Sequence, residues 1–280
     1  MTTMSTFDGG VLEEWTALVH REMMMAYHMS PAKAKQALHG TSPASASAAV
    51  DVDLLLEDDG NDISLPCPSA WREKIVEWCF RVVDHCDMDR DLVFIAMSFF
   101  DRYLSRYSVD VDETLTQLVA MTCLYLAVKV HSSKKISISS IVSLSRGFFR
   151  LDQVVKMEMC IMKSLNWYLN PPTPSTFVDI LYPLMVELTE EEDSVAEIKD
   201  LAKYLLELSV CDGYFINKNP SLIAHSAIIA AMNVLATPIK IQRKLQLLPK
   251  SASPPSIEEC SGRLYNIYSV SMTEHQFRQV

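Results

Sequence analysis

Trp71-Arg72-Glu73-Lys74-Ile75-Val76-Glu77-Trp78, Phe99-Phe100-Asp101-Arg102-Tyr103-Leu104 and Leu126-Ala127-Val128-Lys129 follow one another along the chain, with Lys156-Met157-Glu158 after them. The spacing of apolar residues puts each on its own amphipathic helix. Each places one or two charged side chains inside an otherwise apolar helical pattern, and none has the composition of a catalytic centre. Charges embedded in this way fix helices against one another and present a surface to a partner. They point to a protein that regulates another protein.

The helical pattern extends in both directions from these landmarks. The first helix of the series is expected over Ala70–His85, with Ile75, Val76, Cys79, Val82 and Val83 inward. The second runs over Asp89–Ser105, with Leu92, Ile95, Ala96, Phe99, Tyr103 and Leu104 inward. The third starts after Asp110 or Asp112 as cap and passes through Leu115, Leu118, Val119, Thr122, Cys123 and Leu126 to Val130. A short helix covers Ser139–Leu144. The fifth starts at Asp152 and runs through Val155, Met159, Ile161 and Met162 to Leu165, where Pro171, Pro172 and Pro174 end the set. A second set begins at Thr173, a plausible N-cap before Pro174. It continues through Phe177, Ile180, Leu181 and Leu184, then Glu190–Cys211, then the nearly all-apolar Pro220–Leu235, and closes with Ile257–Met272. Two helical sets split at a proline-rich linker imply a tandem repeat of one module.

Upstream, Val11–His28 reads as a helix with Leu12, Trp15, Leu18, Val19 and Met23 on one face and Asp8 as its cap. Met23-Met24-Met25 reads as adaptable packing. Met29–Leu65 changes character, with a Ser/Ala-Pro tract at 42–49 and an acidic run at 57–62, and reads as a linker. The expected organisation is therefore residues 1–65 as N-terminal helix and linker, 66–170 as the first module, 171–275 as the second, and 276–280 as tail. The fold class is all-α.

Composition narrows the function. The 280 residues carry a net charge of −10, and only 7 are Gly. An acidic chain disfavours nucleic acid as main partner, because neutralising phosphates takes a Lys/Arg surplus. Scarce Gly favours helices and disfavours phosphate-cradling loops. Seven cysteines, without any C-x-x-C, read as free thiols in a reducing compartment. No secretory leader is apparent, and no apolar stretch is expected to span a bilayer, the strongest being Leu222–Ala236. No nucleotide, hydrolase or metal motif occurs, so neither cofactor nor metal is expected.

Taken together, Arg72…Glu77-Trp78, Phe100-Asp101-Arg102-Tyr103-Leu104, Leu118, Leu126-Ala127-Val128-Lys129 and Met157-Glu158 resemble the cyclin family in order and spacing. Leu165-Asn166-Trp167-Tyr168-Leu169 and Thr173-Pro174-Ser175-Thr176-Phe177 look most like D-type or plant-like G1 cyclins. The resemblance implies two cyclin folds of about five helices each. It implies a non-catalytic subunit that binds and activates a cyclin-dependent Ser/Thr kinase in G1/S control, in nucleus and cytoplasm, and that also meets kinase substrates and inhibitors. Neither nucleic acid nor membrane is an implied partner. Lys129 and Glu158 match the family's kinase-facing pair, with Val130, Trp167 and Leu169 as apolar neighbours. Docking of a kinase helix there would favour the Lys–Glu pair that orients ATP in the kinase. Arg72 and Asp101 match a buried pair, and Leu118 a core position. Ile75, Trp78 and Gln117 match a substrate-docking patch. There Trp71, Lys74 and Arg81 depart from the family pattern, Arg81 replacing the usual acid, so a basic docking motif should be repelled. Another departure follows Lys129, where His131-Ser132-Ser133-Lys134-Lys135 replaces acidic residues and His131 reads as a solvated loop residue.

Thr237-Pro238-Ile239-Lys240 fits a proline-directed phosphorylation site, or a helix-ending turn. Ser253-Pro254 is a similar candidate. The alternative function is a cyclin-fold adaptor with a non-kinase, transcriptional partner.

Overall fold

Apolar residues at helical spacing and few glycines give helices throughout. The computed structural model describes residues 9–28, 69–106, 112–249 and 253–278. Among these residues there are eleven α-helices and one 3-10 turn, and no strand. The expected linker over 29–65, the caps at Asp8 and Asp110, and Cys67 lie outside the described residues. The chain divides into two compact units, residues 24–171 and residues 1–23 with 172–280.

The first unit holds α2 (Ser69–His85), α3 (Asp91–Leu104), α4 (Glu113–His131), α5 (Ile138–Leu144) and α6 (Leu151–Ser164). Helix α4 is its core. Thr116 and every residue from Leu118 to Val128 are buried, against α3 and α6 on its main faces and α2 and α5 beside them. Such a helix shows little amphipathic pattern because it has almost no solvent face. By length and composition α4 could cross a membrane, with a mean hydropathy of 1.2. That corrects the expectation that no stretch of the chain qualifies. Two-thirds of it, 67%, is buried inside its own module, as in a core helix. Asp112 stands at the cap position, yet it is its carbonyl, not its side chain, that accepts from Thr116. Ser137 caps α5 by accepting the Ser140 N–H. Helix α6 begins one residue earlier than expected, after Arg150, whose N–H donates to the Gln153 side chain.

The second unit holds α7 (Pro174–Thr189), α8 (Glu192–Cys211), a 3-10 turn (Gly213–Phe215), α9 (Pro220–Val234), α10 (Ile239–Leu245) and α11 (Pro254–Arg278). Thr173 caps α7, its hydroxyl accepting the Thr176 N–H, and Pro174 opens the helix as expected. Helix α9 is the buried centre, wrapped by α7, α8 and α11. Helix α10 is absent from the sequence-based expectation. It is seven residues long and buries only Ile241 and Leu245, too short a pattern to stand out. Helix α11 starts three residues before Ile257 and runs on past Met272 to Arg278.

The turn after α9 settles the two readings of Thr237. Ala236 takes a left-handed conformation (φ 49°), and the Ala236 and Thr237 N–H groups close back on Asn233 and Met232. This double closure ends the helix and satisfies its last carbonyls. Thr237 is buried there, its carbonyl accepting from Gln242. The residue forms a helix-ending turn, the second of the two readings. Ser253 is exposed ahead of α11.

Residues 9–23 of helix α1 (Gly9–His28) belong to the second unit, with Trp15, Leu18 and Glu22 buried. The Trp15 ring meets Phe177 edge-on at 5.1 Å and His225 at 5.5 Å. Glu22 accepts the Ser221 N–H at 2.8 Å and the Ser221 hydroxyl at 2.7 Å. Ser221 lies in the first turn of α9, where N–H groups lack intrahelical acceptors and the helix dipole favours an anion. Met23 and Met24 are exposed and do not supply the packing read from the sequence; Glu22 supplies a polar latch instead.

Burial holds the Glu22 carboxyl above its ordinary value of 4.5, opposed by the two bonds from Ser221. A carboxyl whose folded-state value is raised adds stability at low pH that is lost as pH rises through that value. Replacing Glu22 by Ala leaves the Ser221 donors without their acceptor, so denaturant unfolding should show a loss of about 1–3 kcal/mol. The loss should be larger at about pH 4 than at about pH 7.

Candidate functional site

The first module brings its charged motif residues together in two pairs with different exposure. Arg72 on α2 and Asp101 on α3 form a two-pronged pair, Nε to Oδ1 at 3.0 Å and Nη2 to Oδ2 at 2.8 Å. Both side chains are largely buried, so this pair locks two helices and faces no partner. Leu118 is buried in α4.

The second pair joins the last turn of α4 to the middle of α6. Lys129 Nζ donates to Glu158 Oε1 at 2.6 Å. The lysine side chain is 51% exposed and the glutamate side chain 9%. The two do not stand side by side at the surface; Glu158 is the inner member and Lys129 its cover. The bond to Glu158 raises the Lys129 pKa, and its ammonium also lies 5.7 Å from the Tyr125 ring centre, one turn earlier on α4. Lys129 therefore stays charged and keeps donor capacity for a group arriving from solvent.

The loop after α6 is tied to this place from two sides. His131, the last residue of α4, bonds through Nε2 to the Leu169 carbonyl at 2.6 Å. It is a half-buried strap, not the solvated loop residue expected from sequence. Arg102, buried on α3 between the Phe99 and Tyr168 rings, donates to the Tyr168 carbonyl at 2.8 Å. Burial pulls the Arg102 pKa down to about 10. Sequence inspection gave Arg102 no task of its own. Between these anchors the chain leaves α6 through Asn166 and Trp167, both left-handed (φ 51° and 60°), with N–H groups closing on Lys163 and Met162. Asn tolerates that conformation; for a bulky Trp it is rare. The turn leaves Trp167 60% exposed, while Leu169 is only half-exposed.

A row of exposed apolar side chains adjoins the pair. Leu151, Val155 and Met159 are spaced four residues apart along α6, Phe148 precedes them, and Val130 follows Lys129 on α4. The sequence pattern had counted Val155 and Met159 among the apolar residues that define the helix. The structure buries Ile161 as expected, but turns Val154, Met157 and Glu158 inward in place of Val155 and Met159. The signal was present: α6 has more apolar residues than one buried face needs.

Away from this surface, α2, α4 and the α5–α6 connection enclose a groove of about 310 Å³ lined by Trp71, Lys74, Ile75, Trp78, Gln117 and Phe149, among others. Ile75, Trp78 and Gln117 thus line one cavity. Gln117 donates to Glu113 on its rim. Arg81 is outside the lining, its Nε bonded to the Glu77 carbonyl, so the repulsion expected from it falls beside the groove and Lys74 is the cation that faces in. Among the described residues no three His, Cys, Asp or Glu side chains group as metal ligands, and the described cysteines form no disulfide with one another.

Residues 60–170 match the family described as Cyclin, N-terminal domain, and residues 172–280 match Cyclin, C-terminal domain. The chain belongs to the cyclin family. It is 29% identical to the G2/mitotic-specific cyclin-2 of Saccharomyces cerevisiae over 164 residues, 59% of this chain and 32% of that one. It is 24% identical to the human G1/S-specific cyclin-D1 over 166 residues, 59% of this chain and 55% of that one. The chain thus spans between a third and just over half the length of these curated relatives. Mitotic and G1/S cyclins match the same extent of it, so no subfamily is singled out. A viral cyclin from herpesvirus saimiri shares the fold, with a TM-score of 0.57 at 16% identity over 72% of this chain and 86% of that one. Cyclin-family proteins are regulatory and non-catalytic.

The two ion pairs should separate in a stability measurement. Arg72→Ala strands a buried Asp101 and should cost about 3–5 kcal/mol in urea unfolding. Lys129→Ala uncovers the buried Glu158 carboxylate but lets water into the place of an ammonium already half in solvent, so it should cost less, about 1–3 kcal/mol.

Proposed function

We propose that this cyclin binds and activates a cyclin-dependent Ser/Thr kinase through the surface formed by Lys129, Glu158, Val130 and the outer row of α6. The observation that supports it most is the half-exposed ammonium of Lys129, bound to a buried Glu158 beside an unpartnered apolar row. An apolar helix face on the kinase would cover Leu151, Val155 and Met159. Lys129 would reach the carbonyls at that helix's end. Trp167, rigidly held on its left-handed turn, would anchor the rim, the role aromatic residues take in many interfaces. The chain would supply no reacting group. It would act by favouring one of two positions of a kinase element, as any ligand with a preference between two states does.

The likeness of Leu165–Leu169 and Thr173–Phe177 to D-type sequences supports a G1/S role, and family membership supports a place in nucleus and cytoplasm. The groove at Trp71, Ile75, Trp78 and Gln117 would take an apolar peptide segment of substrates or inhibitors. Ser253, exposed and followed by Pro254, would be open to proline-directed phosphorylation.

The test is co-purification with a panel of monomeric cyclin-dependent kinases, followed by calorimetric titration and assay on a Ser-Pro peptide. The combined Lys129→Ala/Glu158→Ala variant and Val155→Glu should each weaken binding at least about tenfold, and Trp167→Ala about 5- to 30-fold. Thermal unfolding checks that each variant is folded. Undiminished affinity and activation in all three folded variants would overturn the proposed surface.

A further inference from the structure

The connection between α4 and α5, residues 132–137, contains no helix, and Ser137 stands exposed at its end with extended backbone. Lys134 and Lys135 precede it by three and two residues. Both ammonium groups are engaged nearby. Lys135 Nζ donates to the Lys129 carbonyl at 3.0 Å and to the Ser132 carbonyl. Lys134 Nζ donates to the Asp87 carboxylate at 2.5 Å. The Lys135 bonds close the last turn of α4, whose terminal carbonyls have no donor of their own helix. That turn bears Lys129, Val130 and His131. One exposed side chain therefore steadies the helix end on which the partner surface is built.

We propose that Ser137 is a phosphorylation site for a Ser/Thr kinase that selects basic residues, and that its phosphate draws Lys135 off the end of α4 and loosens it. An exposed, non-helical segment with two cations just before the acceptor hydroxyl is what an acidic substrate cleft can bind. In the transfer, Ser137 Oγ attacks the γ-phosphorus of ATP. The O–P bond forms as the bond to the bridging oxygen of ADP breaks, and the hydroxyl proton passes to the modifying kinase's base. The product carries close to two negative charges and three acceptor oxygens. Ser137 Oγ already accepts the Ser140 N–H at 3.0 Å and lies 2.9 Å and 2.7 Å from the Ser139 and Ser140 hydroxyls, so the phosphate retains a donor on α5. Exposed lysine contacts are held weakly, and a charge-assisted bond to phosphate is stronger than one to a neutral carbonyl. Weakened binding of the cyclin-dependent kinase is the functional consequence, and that part rests on the proposed function above.

The experiment treats the full chain with ATP and the catalytic subunit of cyclic-AMP-dependent kinase, maps the label by tandem mass spectrometry, and follows amide hydrogen exchange. Label should fall on Ser137. Lys134→Gln should slow labelling about tenfold, and Ser137→Ala should abolish it. In the labelled chain the amides of residues 130–132 should exchange roughly three- to tenfold faster, the effect of losing one or two modest hydrogen bonds. Lys135→Gln should produce the same increase without label. Label confined to another serine, or unchanged exchange in the Ser137-labelled chain, would overturn the proposal. Affinity for cyclin-dependent kinases is measured alongside. An unlabelled chain that binds none counts against the partner surface, whereas the labelling and exchange results judge Ser137 independently.

Discussion

A carboxylate buried beneath a half-exposed ammonium is the constraint on which the proposed partner surface depends. Glu158 sits on the inner side of α6 with 9% of its side chain exposed, and Lys129 reaches it from the last turn of α4 at 2.6 Å. A buried charge without a counter-ion is costly, so the pair fixes where α4 must end relative to α6. Everything near it inherits that position: Val130 just beyond the lysine, His131 bonded to the Leu169 carbonyl, and through that loop Trp167. The arrangement leaves the ammonium in solvent, and an ammonium has donors to spare for an incoming carbonyl or carboxylate.

The two modules meet the same problem, holding short helices around one buried helix, with different chemistry. In the first, α4 is gripped by the Arg72–Asp101 pair between its neighbours and by Lys129–Glu158 at its end. In the second, α9 is gripped at its start by a carboxylate from far away in sequence, Glu22 on Ser221, and at its finish by the left-handed turn at Ala236. In the first module one ion pair is buried between helices and the other reaches the surface, and in the second a buried carboxylate latches the N-terminal helix. Two buried threonines are satisfied locally: Thr122 and Thr189 return their hydroxyls to their own helix, onto the Leu118 and Met185 carbonyls.

Sequence and structure agree where a pattern is long and one-sided. The helices from α2 to α4, the Thr173-Pro174 cap and the buried α9 could be read from residue spacing, because each repeats its signal over several turns. Disagreement falls where the signal is short or where two faces compete. Helix α10 offers too few apolar residues to be seen. On α6, Val155 and Met159 are as apolar as the residues that are buried, and nothing in their spacing says which face turns inward. That choice is made by Glu158, which must lie under Lys129. The strap from His131 and the buried place of Arg102 involve backbone carbonyls at Leu169 and Tyr168, and a backbone carbonyl leaves no mark in a sequence. Thr237 shows the converse: its sequence fits a modification site, and the turn geometry buries it.

Photo-crosslinking tests the central claim most directly. A photoreactive amino acid at Val155 or Met159 lies on the outer row of α6, and one at Tyr265 lies exposed on the second module as comparison. With an activated cyclin-dependent kinase bound, residues 155 and 159 should crosslink to a single helical element of the kinase and residue 265 should not. A kinase that is bound and active yet crosslinks from residue 265, with none from 155 or 159, would contradict the account.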